Sequence, residues 1–132
     1  MFKTFFIVAT ALLVWTQEAN ASGYLTAEQA AVALTDKSFD GVFHKPKGGK
    51  KLFKVYEAPD GKHHVLRPNG KFDKGREWFV DDEGKHCTTN KKWKNPRCSA
   101  VKDMGNGTLA KYDGKGRLTH TLTYLGDGNK LN

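Results

Sequence analysis

The sequence predicts a mainly β protein, in which an antiparallel meander forms a small barrel or a strongly curved sheet with one short N-terminal helix. Short segments rich in β-branched and aromatic residues recur at a spacing of about 8–12 residues, which is typical of such meanders. Asn-Gly, Asp-Gly and Gly-Gly pairs lie between them and supply the positive φ angles of tight turns. A long open meander exposes unpaired strand edges, and closure into a barrel removes them.

The helix is predicted at residues 26–35. Thr26 and Gln29 have the spacing of a capping box, with Thr26 as N-cap, and an Ala-rich run follows them. An isolated helix of about ten residues is marginally stable in water. We therefore expect its apolar face to pack on the sheet and to cover one mouth of the barrel.

Eight segments are predicted as strands, namely residues 39–44, 51–57, 63–67, 77–81, 85–89, 97–101, 108–112 and 117–125. The apolar residues within them are predicted to face the interior. These are Leu52, Val55, Val65, Trp78, Val80, Leu109, Leu118, Leu122 and Tyr124.

Residues 1–21 are predicted to be a cleaved signal peptide. Lys3 supplies the positive charge, residues 5–15 form an apolar run, and residues 19–21 (Ala-Asn-Ala) form a small-x-small cleavage site. The apolar run is shorter than the roughly 20 residues of a spanning helix, and no second such stretch follows. We therefore expect a single β-rich domain at residues 22–132, without a transmembrane segment, in the periplasm or secreted.

The net charge of the chain is +8. Removal of residues 1–21 takes away one lysine and one glutamate, so the surplus is unchanged. Such a surplus favours anionic partners, although it also serves solubility. Because export argues against nucleic acid, we expect an anionic envelope component or another exported protein; the sequence indicates no oligomeric state.

Cys87 and Cys98 are predicted to form a disulfide, because a lone cysteine pair is normally oxidised outside the cytoplasm. The loop between them carries four positive charges around one tryptophan and no acidic residue. Its predicted binding residues are Lys91, Lys92, Trp93, Lys94 and Arg97. The alternative interpretation is a solvated hairpin tip whose tryptophan folds back onto the sheet.

No catalytic residue, metal ligand or cofactor is predicted, because the chain contains no nucleophile elbow, phosphate-binding loop or dinucleotide fingerprint. The sequence thus favours a non-enzymatic binding or interaction domain. One alternative is a lipocalin-like carrier of a small apolar ligand, which requires a cavity of a few hundred Å³.

The second alternative is a metal-dependent or hydrolytic enzyme, which requires at least two histidines to converge in one pocket. The candidates are His44, His63, His64, His86 and His120. The sequence favours surface or internally satisfied histidines, because metal coordination needs several converging ligands. The neighbours His63 and His64 are expected to point to opposite faces of their strand.

The layout resembles a group of small exported bacterial domains of unknown function, which combine a short N-terminal helix with a meander containing Gly-x-x-Trp and two cysteines. The matching segments are residues 25–28 (Leu-Thr-Ala-Glu), 39–41 (Phe-Asp-Gly), 75–78 (Gly-Arg-Glu-Trp) and 84–87 (Gly-Lys-His-Cys), with Cys98. It is also loosely similar to lipocalin-like barrels, without their N-terminal Gly-x-Trp. The resemblance implies a compact β-fold in a bacterial periplasm and transfers no catalytic residue.

Overall fold

The computed structural model describes residues 23–132, and the predicted signal peptide lies outside this range. In this described range, one helix, α1 (Ala27–Leu34), precedes eight strands. The strands are β1 (Lys37–His44), β2 (Lys50–Glu57), β3 (His63–Leu66), β4 (Arg76–Val80), β5 (His86–Asn90), β6 (Arg97–Gly105), β7 (Thr108–Tyr112) and β8 (Leu118–Asp127). Each overlaps the segment predicted for it.

The strands form an antiparallel sheet in the order β3-β2-β1-β8-β7-β6-β5-β4. The two outermost strands, β3 and β4, approach each other where Lys62, just before β3, forms an isolated bridge with Glu77 of β4. The amide of Trp78 also donates to the carbonyl of Gly61 at 2.9 Å. The sheet is therefore a nearly closed barrel, as the sequence predicted.

Helix α1 begins at the predicted capping box. The Gln29 amide donates to Thr26 Oγ1 at 3.2 Å, and the Thr26 amide donates to Gln29 Oε1 at 3.0 Å. Ala30 and Leu34 are fully buried in the barrel core. Within residues 23–132, no helix is long and apolar enough to span a membrane.

Of the nine apolar residues predicted to face the interior, five are buried, Val80 and Leu118 are half-buried, and two are exposed. The five are the buried residues Val55, Val65, Trp78, Leu109 and Leu122. Leu52 is 61% exposed, because it lies an odd number of residues from Val55 and so points to the opposite face. Tyr124 is 42% exposed and donates its hydroxyl to Asp127 beyond the end of the core.

The predicted disulfide is present. Cys87 on β5 and Cys98 on β6 are directly opposite each other in the strand pairing, and their sulfurs are bonded. The basic loop therefore leaves and re-enters the sheet at one covalently closed point.

Candidate functional site

A cavity of about 480 Å³ opens into the barrel, within the size range of small-molecule sites. Its walls come from strands β1 to β8 and from the loop between the cysteines. The lining residues are Phe43, Lys51, Phe53, Val55, His63, Val65, Arg67, Arg76, His86, Thr88, Trp93, Arg97, Cys98, Ser99, Lys111, Asp113, Thr119, His120 and Leu122. Its volume lies in the range of a few hundred Å³ that a carrier of a small ligand requires, and the buried Trp78 is not among the lining residues.

Aromatic and aliphatic side chains form one part of the wall, including Phe43, Phe53 and Leu122. The far end of the Phe53 ring lies over Gly41, the partner of Phe53 in the pairing of β1 with β2. A Cβ at Gly41 would come within 2.3 Å of the Phe53 ring. The absence of a side chain at Gly41 therefore allows this aromatic part of the wall to form.

Arginines connected through one carboxylate and one indole form another part of the wall. Arg67 donates from Nε (3.0 Å) and Nη2 (2.6 Å) to Asp73, which also accepts from Arg76 Nη1 at 2.9 Å. These hydrogen bonds, with Arg67 first, outweigh burial and hold the pKa of Asp73 below its usual value. Arg76 and Arg97 lie over the ring of Trp93, 4.9 and 3.8 Å from its centroid.

Trp93 and Arg97 thus turn toward the cavity, whereas Lys91, Lys92 and Lys94 are exposed and outside its lining. The predicted loop is therefore divided. Its aromatic residue and its last cation belong to the cavity mouth, and its three lysines face solvent.

The charge balance of the lining is strongly positive. Five lining residues are lysine or arginine, and one, Asp113, is a carboxylate that pairs with Arg117 at 3.2 Å. Lys111 is only 7% exposed, and burial lowers its pKa to about 8. Arg76 Nε is buried and has no hydrogen-bond partner among the described residues.

A buried carboxylate and two histidines meet beside this charge. Glu57, at the end of β2, is fully buried. His63 Nδ1 lies 2.5 Å from Glu57 Oε1, and His86 Nε2 bonds to Glu57 Oε2. Because Glu57 and His63 are paired across β2 and β3, the strand register itself brings the two side chains together.

The ionisation of this cluster follows from burial and mutual contact. Burial alone raises the pKa of Glu57, but His86 and His63 outweigh it, and the pKa lies well below its usual value. Burial, together with Lys111, lowers the pKa of His86 to about 4 despite the opposing effect of Glu57. Glu57 is therefore ionised at neutral pH and accepts hydrogen bonds from His63 Nδ1 and His86 Nε2.

The five histidines separate into distinct environments. His63, His86 and His120 line the cavity. His44 Nε2 lies 2.8 Å from Thr121 Oγ1, and His64 stacks on Tyr56 on the opposite face from His63. The expectation of surface or satisfied histidines is wrong for His86, which is 2% exposed and whose Nδ1 has no partner among the described residues.

Glu57, Arg76 and Lys111 are site residues that the sequence reasoning missed. The signal was present in the strand alternation. Glu57 follows Val55 by two residues and Lys111 follows Leu109 by two, so each shares the inward face of an apolar residue. An inward-facing charge on a predicted strand is itself a candidate site.

The sulfurs of Cys87 and Cys98 also lie near Asp81, within 4.8 Å of its carboxylate. Because the sulfurs are bonded to each other, neither is a thiolate available to a metal.

Comparison of the chain with protein-family models, curated proteins and solved structures found no match.

Proposed function

We propose that this protein is an exported, non-enzymatic binding protein that holds a small anionic amphiphile in its barrel cavity, with the Cys87–Cys98 loop at the mouth. The observation that carries the proposal is the cavity itself. Its lining combines aromatic and aliphatic side chains with five lysine and arginine side chains and one carboxylate.

The unpartnered donor on Arg76 specifies what the ligand must offer. A buried polar group without a partner costs about 1–3 kcal/mol. Arg76 Nε is such a group in a cavity-lining residue, and an oxygen of a carboxylate or phosphate would satisfy it. Lys111 and Arg97, which form no salt bridge within residues 23–132, would add charge-assisted contacts.

The apolar wall specifies the rest of the ligand. Phe43, Phe53 and Leu122 offer hydrophobic contact but no strong hydrogen bond, so the matching part of the ligand is an alkyl chain or a ring. Trp93 can cover this apolar body at the mouth. An anionic lipid-like molecule of the cell envelope has both parts.

Export is part of the proposal and is supported by the N-terminal sequence pattern and by the disulfide, which persists in oxidising compartments. The resemblance in layout to small exported bacterial domains points the same way. The exposed lysines of the loop would attract an anionic ligand or surface from a distance.

The test compares matched amphiphiles. Dodecyl phosphate, dodecanoate and dodecanol are titrated into the protein, and binding is followed by tryptophan fluorescence and calorimetry. We expect the two anions to bind at least about tenfold more tightly than the alcohol, since charged hydrogen bonds contribute about 1.5–3 kcal/mol. Arg76→Gln should weaken the anions about tenfold while leaving dodecanol unchanged.

The loop lysines provide the matched control. The control variant replaces three exposed lysines with Gln, namely Lys91, Lys92 and Lys94. It should show a smaller salt dependence of anion binding but keep most of the affinity at high salt, because exposed charges are screened there. Tighter binding of dodecanol than of the anions would instead support a carrier of apolar ligands. No binding of any of the three compounds would contradict both interpretations.

A further inference from the structure

We propose that Glu57, His63 and His86 form a binding site for one divalent transition-metal ion, with Zn²⁺ as the best-fitting ion. Each residue offers one ligand atom, and these atoms all lie within 4.8 Å of one another. The three residues come from β2, β5 and the start of β3, so the site depends on the closed sheet rather than on one sequence motif.

The donor set fits zinc. Two imidazole nitrogens and one carboxylate oxygen are a recurrent zinc ligand set that leaves a fourth position open. Two ligands of a tetrahedral zinc, each about 2.1 Å from the metal, lie about 3.4 Å apart. His63 Nδ1 and Glu57 Oε1 are 2.5 Å apart, so small side-chain rotations that separate the ligands make room for the ion.

Burial also favours an ion at this position. Glu57 is 0% exposed, and its hydrogen-bond partners are the imidazoles of His63 and His86. A buried carboxylate is stabilised by a positive charge in contact with it, and neutral imidazole is the form that binds a metal. Ligation through His86 Nε2 would replace its hydrogen bond to Glu57 and place the ring proton on Nδ1, which has no partner among the described residues.

The charge of Lys111 disfavours a cation at the cluster and therefore provides a specific test for a bound metal. Lys111 is the buried cation whose charge acts on both Glu57 and His86. A cation bound at the cluster would be repelled by it, so loss of that charge must tighten metal binding. A structural role of the three residues without a metal gives no such effect.

The cavity provides the entry path. His63 and His86 both line it, so an ion can reach the cluster and an open coordination position would face the cavity. This site does not depend on the proposed amphiphile, and the metal experiment is done without one.

The experiment uses the purified protein with its disulfide intact. Zn²⁺ is titrated by calorimetry, and Co²⁺ is followed by its visible ligand-field absorption. We expect one ion per chain with a dissociation constant in the micromolar range or tighter. His63→Gln and Glu57→Gln should each weaken binding about 100-fold, and Lys111→Met should tighten it several-fold.

His64→Gln is the matched control, because His64 is the next residue in β3 but stacks on Tyr56 on the other face. It should bind zinc like the unchanged protein. Circular dichroism checks that each variant folds, and thermal unfolding of the unchanged protein with and without Zn²⁺ gives a second readout independent of the variants. No binding by the unchanged protein, or binding that survives both His63→Gln and His86→Gln, would overturn the proposal.

Discussion

The lack of a side chain at Gly84 allows a turn of the barrel to contact the backbone that leads into α1. Gly84 lies in the turn between β4 and β5, with φ at +86°. A Cβ at this position would lie 2.4 Å from the carbonyl oxygen of Leu25 and 2.8 Å from the carbonyl carbon of Thr26. The turn therefore touches the backbone that leads into α1, and only glycine permits both the positive φ and this approach.

Gly84→Ala is expected to destabilise the protein by about 3 kcal/mol or more, because backbone strain and a clash with fixed backbone atoms act together. Gly70→Ala is the matched control, since φ is +83° and a Cβ there meets nothing within 4 Å. It should cost only about 1–2 kcal/mol of conformational strain. Urea unfolding measures both variants, and equal losses would show that the contact with Leu25 is unimportant.

Buried charge is the second feature at this scale. Glu57 and Lys111 are both buried. Burial of a charged group costs free energy, so each charge must be stabilised by specific partners. Arg76 Nε and His86 Nδ1 have no hydrogen-bond partner among the described residues. Unsatisfied atoms of this kind are uncommon in folded proteins, and their position beside one cavity is the reason that both proposals concern this cavity.

The β5–loop–β6 element connects stability to the candidate site. The disulfide closes a loop between strands that are paired directly at Cys87 and Cys98. Within the loop, Trp93 lies against Arg76 of β4 as well as Arg97. The crosslink thus restricts the segment that carries the aromatic residue at the cavity mouth.

The variant with both Cys87→Ser and Cys98→Ser is expected to lose about 3 kcal/mol of unfolding free energy, because the crosslink removes conformational entropy from the unfolded chain. Urea denaturation of oxidised and reduced protein gives the comparison, and the reduced unchanged protein should match the double variant. A loss below about 1 kcal/mol would mean that strand pairing alone already orders the loop.

On the scale of the whole molecule, the barrel is unevenly closed. β1 is paired along its full length with β2 and along seven residues with β8. β3 and β4 meet through the isolated bridge of Lys62 with Glu77 and through the hydrogen bond from the Trp78 amide to the carbonyl of Gly61. The contact between β3 and β4 is therefore the weakest connection around the barrel, and it borders His63 and Arg76.

Hydrogen exchange should reveal this difference. The amides of β1 are expected to exchange at rates near those of global unfolding, whereas the Trp78 amide, bonded to Gly61 across the β3–β4 contact, should exchange at least about tenfold faster through local opening. NMR exchange at neutral pH measures both groups. Equal protection would show that the barrel opens only as a unit.

Much of the fold could be predicted from the sequence, because the decisive signals are local. Turn residues such as the Asn-Gly and Asp-Gly pairs divide the chain into eight strands, and the Thr26–Gln29 capping box marks the start of α1. Oxidation of the lone cysteine pair was predictable from the expected compartment. The inward position of Leu52 was predicted wrongly, although strand alternation from Val55 would have corrected it.

The candidate site depended on the tertiary structure. His86 is 29 residues from Glu57, and nothing local to either residue indicates that their side chains meet. Their contact requires the barrel to close, because closure brings strands distant in sequence order around one interior. The sequence by itself therefore determined the strands, the helix cap, the disulfide and the positive charge, since each is set by near neighbours or composition. Only the tertiary structure decided which charges face one another across the cavity, because that follows from sheet order and register.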